Sequence, residues 1–193
     1  MRLLTAFLLI SLLVSGQKAP SFSDEFNGTE LDLAKWVPHD PWAAAATPDI
    51  AAVSGGELHL RERQTITTFG LFSQKYGRVE ARLRMPAGKG RLRLLPVPLA
   101  HLPAIDVFVF EGTKVSFGNF WGTEQTERSF ADAFDAPPSG QHVFAMDWEP
   151  GKITWSIDGK ERMHSTDGVP SQPMFLLVEG PLDIDYIRVF AER

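Results

Sequence analysis

Gly77-Arg78-Val79-Glu80-Ala81-Arg82-Leu83-Arg84-Met85 is the stretch whose reading decides the fold. Apolar side chains fall at every second position (Val79, Ala81, Leu83 and Met85), with charged side chains between most of them. A period of two belongs to a strand with one buried face and one wet face. The same alternation, or a short apolar run, returns at 57–61, 143–148, 152–157, 174–178 and 183–190. It returns again in Ala104-Ile105-Asp106-Val107-Phe108-Val109-Phe110-Glu111, an apolar strand carrying acids at Asp106 and Glu111. Turn signals separate these runs: Ser54-Gly55-Gly56, Pro86-Ala87-Gly88, Glu149-Pro150-Gly151 and Asp158-Gly159-Lys160. The last two flank one strand and predict a pair of hairpins. No amphipathic helix of convincing length and no internal repeat interrupts the pattern. The alanine-rich stretch 41–52 has no period and reads as a loop. Short strands with frequent turns predict an all-β antiparallel sandwich.

Composition narrows the function. The chain has 193 residues, 44% of them hydrophobic and 22% charged, which fits one soluble domain. A net charge of -5 argues against nucleic acid, whose phosphates need clustered Lys and Arg. The basic cluster Lys89-Gly90-Arg91-Leu92-Arg93 is short and reads as a solvated loop. At the start, Arg2 precedes an apolar run over 3–14 and the small residues Ser15 and Gly16. That is the pattern of an export signal over residues 1–16, cleaved before Gln17, and it places the protein outside the cytoplasm, secreted or periplasmic. The run is shorter than the roughly 20 residues a membrane span needs, and no later stretch is a transmembrane candidate. There is no cysteine, hence no disulfide and no lipid-anchored cysteine. His39, His59, His101, His142 and His164 are scattered without helical pairing, which argues against zinc. No serine-histidine-aspartate order, phosphate loop or dinucleotide fingerprint is present. Asn27-Gly28-Thr29 is a glycosylation sequon by pattern.

Several stretches, in order, carry a family resemblance. They are Phe22-Ser23-Asp24-Glu25-Phe26-Asn27-Gly28-Thr29 with Leu31-Asp32 and Lys35-Trp36, then Ser73-Gln74-Lys75-Tyr76-Gly77-Arg78-Val79-Glu80-Ala81-Arg82. Asp147-Trp148-Glu149-Pro150-Gly151-Lys152-Ile153 with Asp158-Gly159 follows, and Asp185-Tyr186-Ile187-Arg188-Val189-Phe190 closes the set. Together they resemble glycoside hydrolase family 16, the laminarinase and lichenase-like β-glucanases, over residues 20–193. The resemblance implies a β-jelly roll of two curved antiparallel sheets, of the concanavalin A-like kind. Its concave face would bind a glucan or galactan chain, and the protein would be a monomer. Fold alone does not give function, so the site needs its own argument.

In active members of that family the cleft strand reads E-I-D-x-x-E. The first Glu is the nucleophile, the Asp a helper and the last Glu the general acid/base. Retaining hydrolysis needs two carboxyls about 5–5.5 Å apart. The resemblance sets these positions on Ala104, Asp106 and Val109, so the nucleophile and the acid/base are both replaced by apolar side chains. Asp106 and Glu111 repeat the spacing of Ala104 and Val109 and form a candidate relocated pair, better suited to the wider gap of an inverting mechanism. The family's "GLWPAFWLLP" segment is Gly90-Arg91-Leu92-Arg93-Leu94-Leu95-Pro96-Val97-Pro98 here, without its two Trp. Sugar rings stack on aromatic faces, so part of the usual platform is missing. Trp121 matches a cleft-bordering "HWG" segment, with Phe120 in place of the His, and Trp42 lies where the family often builds a subsite wall. Trp36, Trp148 and Trp155 read as core, and Arg78 and Glu80 as facing solvent. No cofactor is required. A structural calcium is implied by the resemblance, with oxygens from Glu25, the Gly56 backbone and Asp185. Only Glu179-Gly180-Pro181-Leu182 separates the last two strands, which implies a shallower cleft at that end.

Three readings stay open. One is an exported, non-catalytic polysaccharide-binding or vestigial member, with a β-glucan-like ligand near Asp106, Trp121 and Trp42. Another is an active O-glycosyl hydrolase using Asp106 and Glu111. The third is an envelope structural or interaction protein that keeps only the sandwich. Whether the chain is an enzyme turns on which of these holds.

Overall fold

Alternation in the sequence becomes two stacked sheets. The computed structural model describes residues 18–43, 50–84, 89–123 and 125–192. The export segment 1–16, Met85, the turn 86–88 and residues 44–49 of the alanine-rich loop lie outside the described residues. The strands are β1 (Phe22–Asp24), β2 (Ala52–Ser54), β3 (Glu57–Leu60), β4 (Thr65–Thr67), β5 (Gly77–Arg84), β6 (Gly90–Pro96) and β7 (Ala104–Glu111). They continue with β8 (Lys114–Trp121), β9 (Arg128–Asp135), β10 (Gln141–Glu149), β11 (Lys152–Ile157), β12 (Lys160–Ser165), β13 (Met174–Glu179) and β14 (Leu182–Phe190). There is no helix among the described residues. Sheet A runs β12-β11-β10-β5-β14-β3-β2, with β1 also on β14, and sheet B runs β4-β13-β6-β7-β8-β9. Every strand pair is antiparallel. The expected all-β jelly roll is the observed fold.

β5 sits in the middle of sheet A, as its alternation demands. Val79, Ala81 and Leu83 turn inward and are buried. Arg78, Glu80, Arg82 and Arg84 turn outward into a lattice of ion pairs with Asp147, Asp185, Glu57 and Arg188. The solvent reading of Arg78 and Glu80 agrees with this outer face. The two hairpins also form where the turns placed them, β10 to β11 and β11 to β12. Asp158 and Gly159 both take positive φ, 51° and 74°, the tight-turn geometry that Asp-Gly supplies at low steric cost.

The core lies between the sheets. Trp36, Trp148 and Trp155 are all buried in it, as the sequence suggests. Each buried indole N–H needs an acceptor. Trp36 Nε1 donates to Asp24 Oδ2 at 2.8 Å, while Asp24 Oδ1 takes the Phe26 N–H at 3.0 Å. This explains Phe22-Ser23-Asp24-Glu25-Phe26 physically: the acid ties the opening strand to the tryptophan that follows it. Trp148 Nε1 donates to the Pro170 carbonyl at 3.0 Å.

One reading is corrected. Lys89-Gly90-Arg91-Leu92-Arg93 is not a solvated loop, because Gly90–Pro96 is the strand β6, placed between β13 and β7 inside sheet B. Leu92 and Leu94 enter the main core, and the two arginines are held by carboxylates on the neighbouring strands. At the edge of the same sheet, β9 is exposed along nearly its whole length and anchors through Phe134, which packs on Phe117.

Candidate functional site

The site is built on β7 and begins with an irregularity in its backbone. Asp106 pairs with Gly118 of β8 and Val109 with Ser116, so three steps along β7 oppose two along β8. The extra residue is a β-bulge at Val107 and Phe108. It puts both Phe108 and Phe110 into the main core, and it turns Ala104, Asp106, Val109 and Glu111 to the other side of sheet B. A bulge also leaves backbone groups without ladder partners. Trp155 of the opposite sheet fills that gap, donating its Nε1–H to the Asp106 carbonyl at 2.8 Å in a buried site. Trp155→Phe strands this carbonyl and is expected to cost about 1–3 kcal/mol, read from urea unfolding.

The face of sheet B turned away from the main core, where the resemblance sets the cleft, is assembled in rows. At one level Phe175, Leu95, Ala104 and Phe120 line up on β13, β6, β7 and β8. With Leu177, Phe69 and Leu99 they form a second hydrophobic cluster, separate from the main core. Ala104, which the resemblance sets at the nucleophile position, is 1% exposed beneath that roof. At the next level come Leu177, Arg93, Asp106, Gly118 and Ala131. Arg93 grips Asp106 with its fork: Nε to Oδ1 at 2.5 Å and Nη2 to Oδ2 at 2.9 Å. Burial pulls the Arg93 pKa down, but the bonds and charge of Asp106 outweigh it and hold it above the usual arginine value. The third level holds Glu179, Arg91, Val109, Ser116 and Ala133, and Arg91 Nε donates to Glu179. On the β8–β9 side the floor is small and flat. Gly118 is required there, since a Cβ would lie 2.7 Å from the Ala131 Cβ.

The structure does not bring Asp106 and Glu111 into one reacting pair. Asp106 is buried and bound by Arg93, whereas Glu111 is exposed at the strand end against Lys89 at 3.2 Å. Trp121 lies on the opposite side of β8 from Phe120, half-buried over the backbone of Gly168. On β8 the aromatic on the face turned away from the main core is Phe120, whose ring centroid is 5.4 Å from the Arg93 guanidinium carbon. Trp42 has one aromatic partner among the described residues. It stacks on His101 of the β6–β7 loop, with centroids 4.3 Å apart and planes 11° from parallel, and both rings are exposed. Two of the three candidate calcium ligands, Glu25 and Asp185, are engaged with arginines. Both Glu25 oxygens accept from Arg188, which holds that carboxyl below its usual range, and Asp185 is paired with Arg82. Gly56, in the β2–β3 turn, lies near Asn27, whose Oδ1 is 3.8 Å from where a Gly56 Cβ would stand, and no group of three or more His, Cys, Asp or Glu fit for a metal occurs among the described residues. A cavity of about 500 Å³ lies elsewhere, on the outer face of sheet A between Arg78, Asp147 and Phe190.

The comparisons with known proteins follow this geometry. Residues 45–179, which contain all of sheet B, match the sequence profile of "Glycosyl hydrolases family 16". The chain belongs to glycosyl hydrolases family 16. A relative from Niallia circulans, glucan endo-1,3-beta-glucosidase A1, is 25% identical over 89% of this chain and 38% of its own length. The beta-glucanase of Bacillus amyloliquefaciens is 25% identical over 83% of this chain and 75% of its own. The laminarinase catalytic domain from Thermotoga maritima superposes with a TM-score of 0.72 at 20% identity, covering 91% of this chain and 98% of that one. A family 16 endo-glucanase from Bacteroides ovatus gives 0.71 at 16% identity, over 88% and 99%. These structural likenesses concern the fold. Within this member of glycosyl hydrolases family 16, the arginine pair and the apolar roof escaped the sequence reading, although Arg91-Leu92-Arg93-Leu94 already alternates with period two.

Proposed function

We propose that this chain is an exported, non-catalytic member of glycosyl hydrolases family 16 that binds a β-glucan-like polysaccharide. The observation carrying the reading is the state of the cleft strand. Its two family carboxylate positions are Ala104 and Val109, and the first is sealed under Phe120 and its neighbours. A methyl group cannot attack an anomeric carbon, and an isopropyl group cannot protonate a leaving oxygen. Asp106, the helper position, has each oxygen bound by Arg93. Binding remains chemically reasonable. The exposed Trp42–His101 stack offers a ring-sized face, and the small side chains of the β8–β9 floor leave room for a chain. The relatives named beta-glucanase favour a β-glucan over other polymers.

The test pairs turnover with binding. Reducing-sugar release from laminarin, lichenan and agarose is expected to stay at background, while laminarin or lichenan retards the protein in affinity electrophoresis. Turnover that disappears in Asp106→Asn or Glu111→Gln would instead establish the relocated pair. Neither turnover nor retardation would leave the structural role in the envelope.

A further inference from the structure

Resting on the binding role above, we infer that Arg91 and Arg93 are the groups that read the ligand, and that they read the hydroxyls of an uncharged glycan. Both arginines alternate with the buried Leu92 and Leu94, so both stand on the cleft face. They are only partly covered, with side chains 36% and 23% exposed. Their carboxylate partners use Nε of Arg91 and Nε with Nη2 of Arg93. Both Nη groups of Arg91 and Nη1 of Arg93 therefore have no protein acceptor among the described residues. Paired carboxylates hold the two forks in place, so little side-chain freedom is lost when a ligand accepts from them. The pair replaces stacking on the missing tryptophans with a fixed set of donors.

Charge decides the ligand class. Each guanidinium is matched by one carboxylate, Glu179 for Arg91 and Asp106 for Arg93. Asp40 and Glu127 add negative field toward Arg91 and Arg93, respectively. An anionic sugar would meet two cations already neutralised and further acids beyond them. A neutral polyol meets donors and acceptors side by side, which suits vicinal hydroxyls.

Isothermal titration of the full chain with laminarin, sulfated laminarin and alginate tests this at low and high salt. Laminarin is expected to bind most tightly and with little salt dependence. Arg91→Met is expected to weaken laminarin roughly tenfold, the equivalent of one charge-assisted hydrogen bond. Arg91→Lys keeps the charge but loses the fork and should not restore binding. Arg78→Met, on the outer face of the other sheet, controls for general damage and should bind like the unmodified protein. Tighter, salt-sensitive binding of sulfated laminarin or alginate would overturn the neutral-ligand inference. Laminarin binding unchanged in Arg91→Met would overturn the role of the arginines, while leaving the binding function intact. No binding of any glycan by the unmodified protein would instead remove the function on which the inference rests.

Discussion

Ala104→Glu is expected to lower the stability of the domain by about 3–5 kcal/mol, with no gain of hydrolysis. The alanine methyl lies 1% exposed, packed with Leu95, Phe175 and Leu177 and roofed by Leu99, Phe69 and Phe120. A carboxylate placed there loses its water and finds an apolar surrounding, and the longer side chain also overpacks the cluster. Its folded-state pKa must rise above the unfolded value of about 4.3. The destabilisation is then largest at neutral pH and shrinks as the pH falls toward that unfolded value, where both states are protonated. Urea unfolding at neutral pH and near pH 4 measures both parts of the claim. Val109→Glu provides the contrast. Val109 is half-exposed and directly opposite Arg91 on β6, so its replacement should cost less than about 1 kcal/mol. The double variant is expected to remain inactive on laminarin, because the roof over position 104 excludes the sugar as well as the water. A double variant that hydrolyses laminarin would show that the roof opens.

Arg93→Met is the second large effect, at about 3–5 kcal/mol. It leaves the Asp106 carboxylate, 6% exposed at its side chain, without the fork that now satisfies both oxygens. The loss comes from a stranded charge, so removing the charge as well should recover most of it. Arg93→Met combined with Asp106→Leu is expected to unfold close to the unmodified midpoint, since apolar replacement of a whole buried pair is often neutral. Equal destabilisation of the single and double variants would mean that packing under Phe120, rather than charge, sets the cost.

The fold was legible wherever one strand carries its own instruction. β5, β10, β11 and β14 announce themselves by period two, and their turns by Gly and Asp. β6 was misread because two arginines in five residues look like solvated charge, and only the carboxylates of β7 and β13 make them compatible with a central strand. β9 escaped because an edge strand with little burial has almost no apolar alternation to show. At the site, the acids of β7 and the loop position of Trp42 are legible in the sequence, and their candidate roles come from the family resemblance. The roof over Ala104 is not legible there, since Phe69, Leu99, Phe120 and Phe175 come from separate elements and meet only after folding. Trp121 and Phe120 are adjacent in sequence, and which of them faces the cleft is a matter of strand phase that only the pairing with β7 fixes.

The bulge in β7 constrains the chain independently of the side chains it carries. Side chains at 104 and 109 can be exchanged one codon at a time, but the extra residue at Val107 and Phe108 can be removed only by deletion. While that residue stays, a strand without the bulge would invert every position after it, sending Val109 and Glu111 toward the core and Phe110 toward water. The kink is thus an heirloom of the backbone. Kinship among chains built on this scaffold is better traced by where a strand breaks step than by which acids it carries.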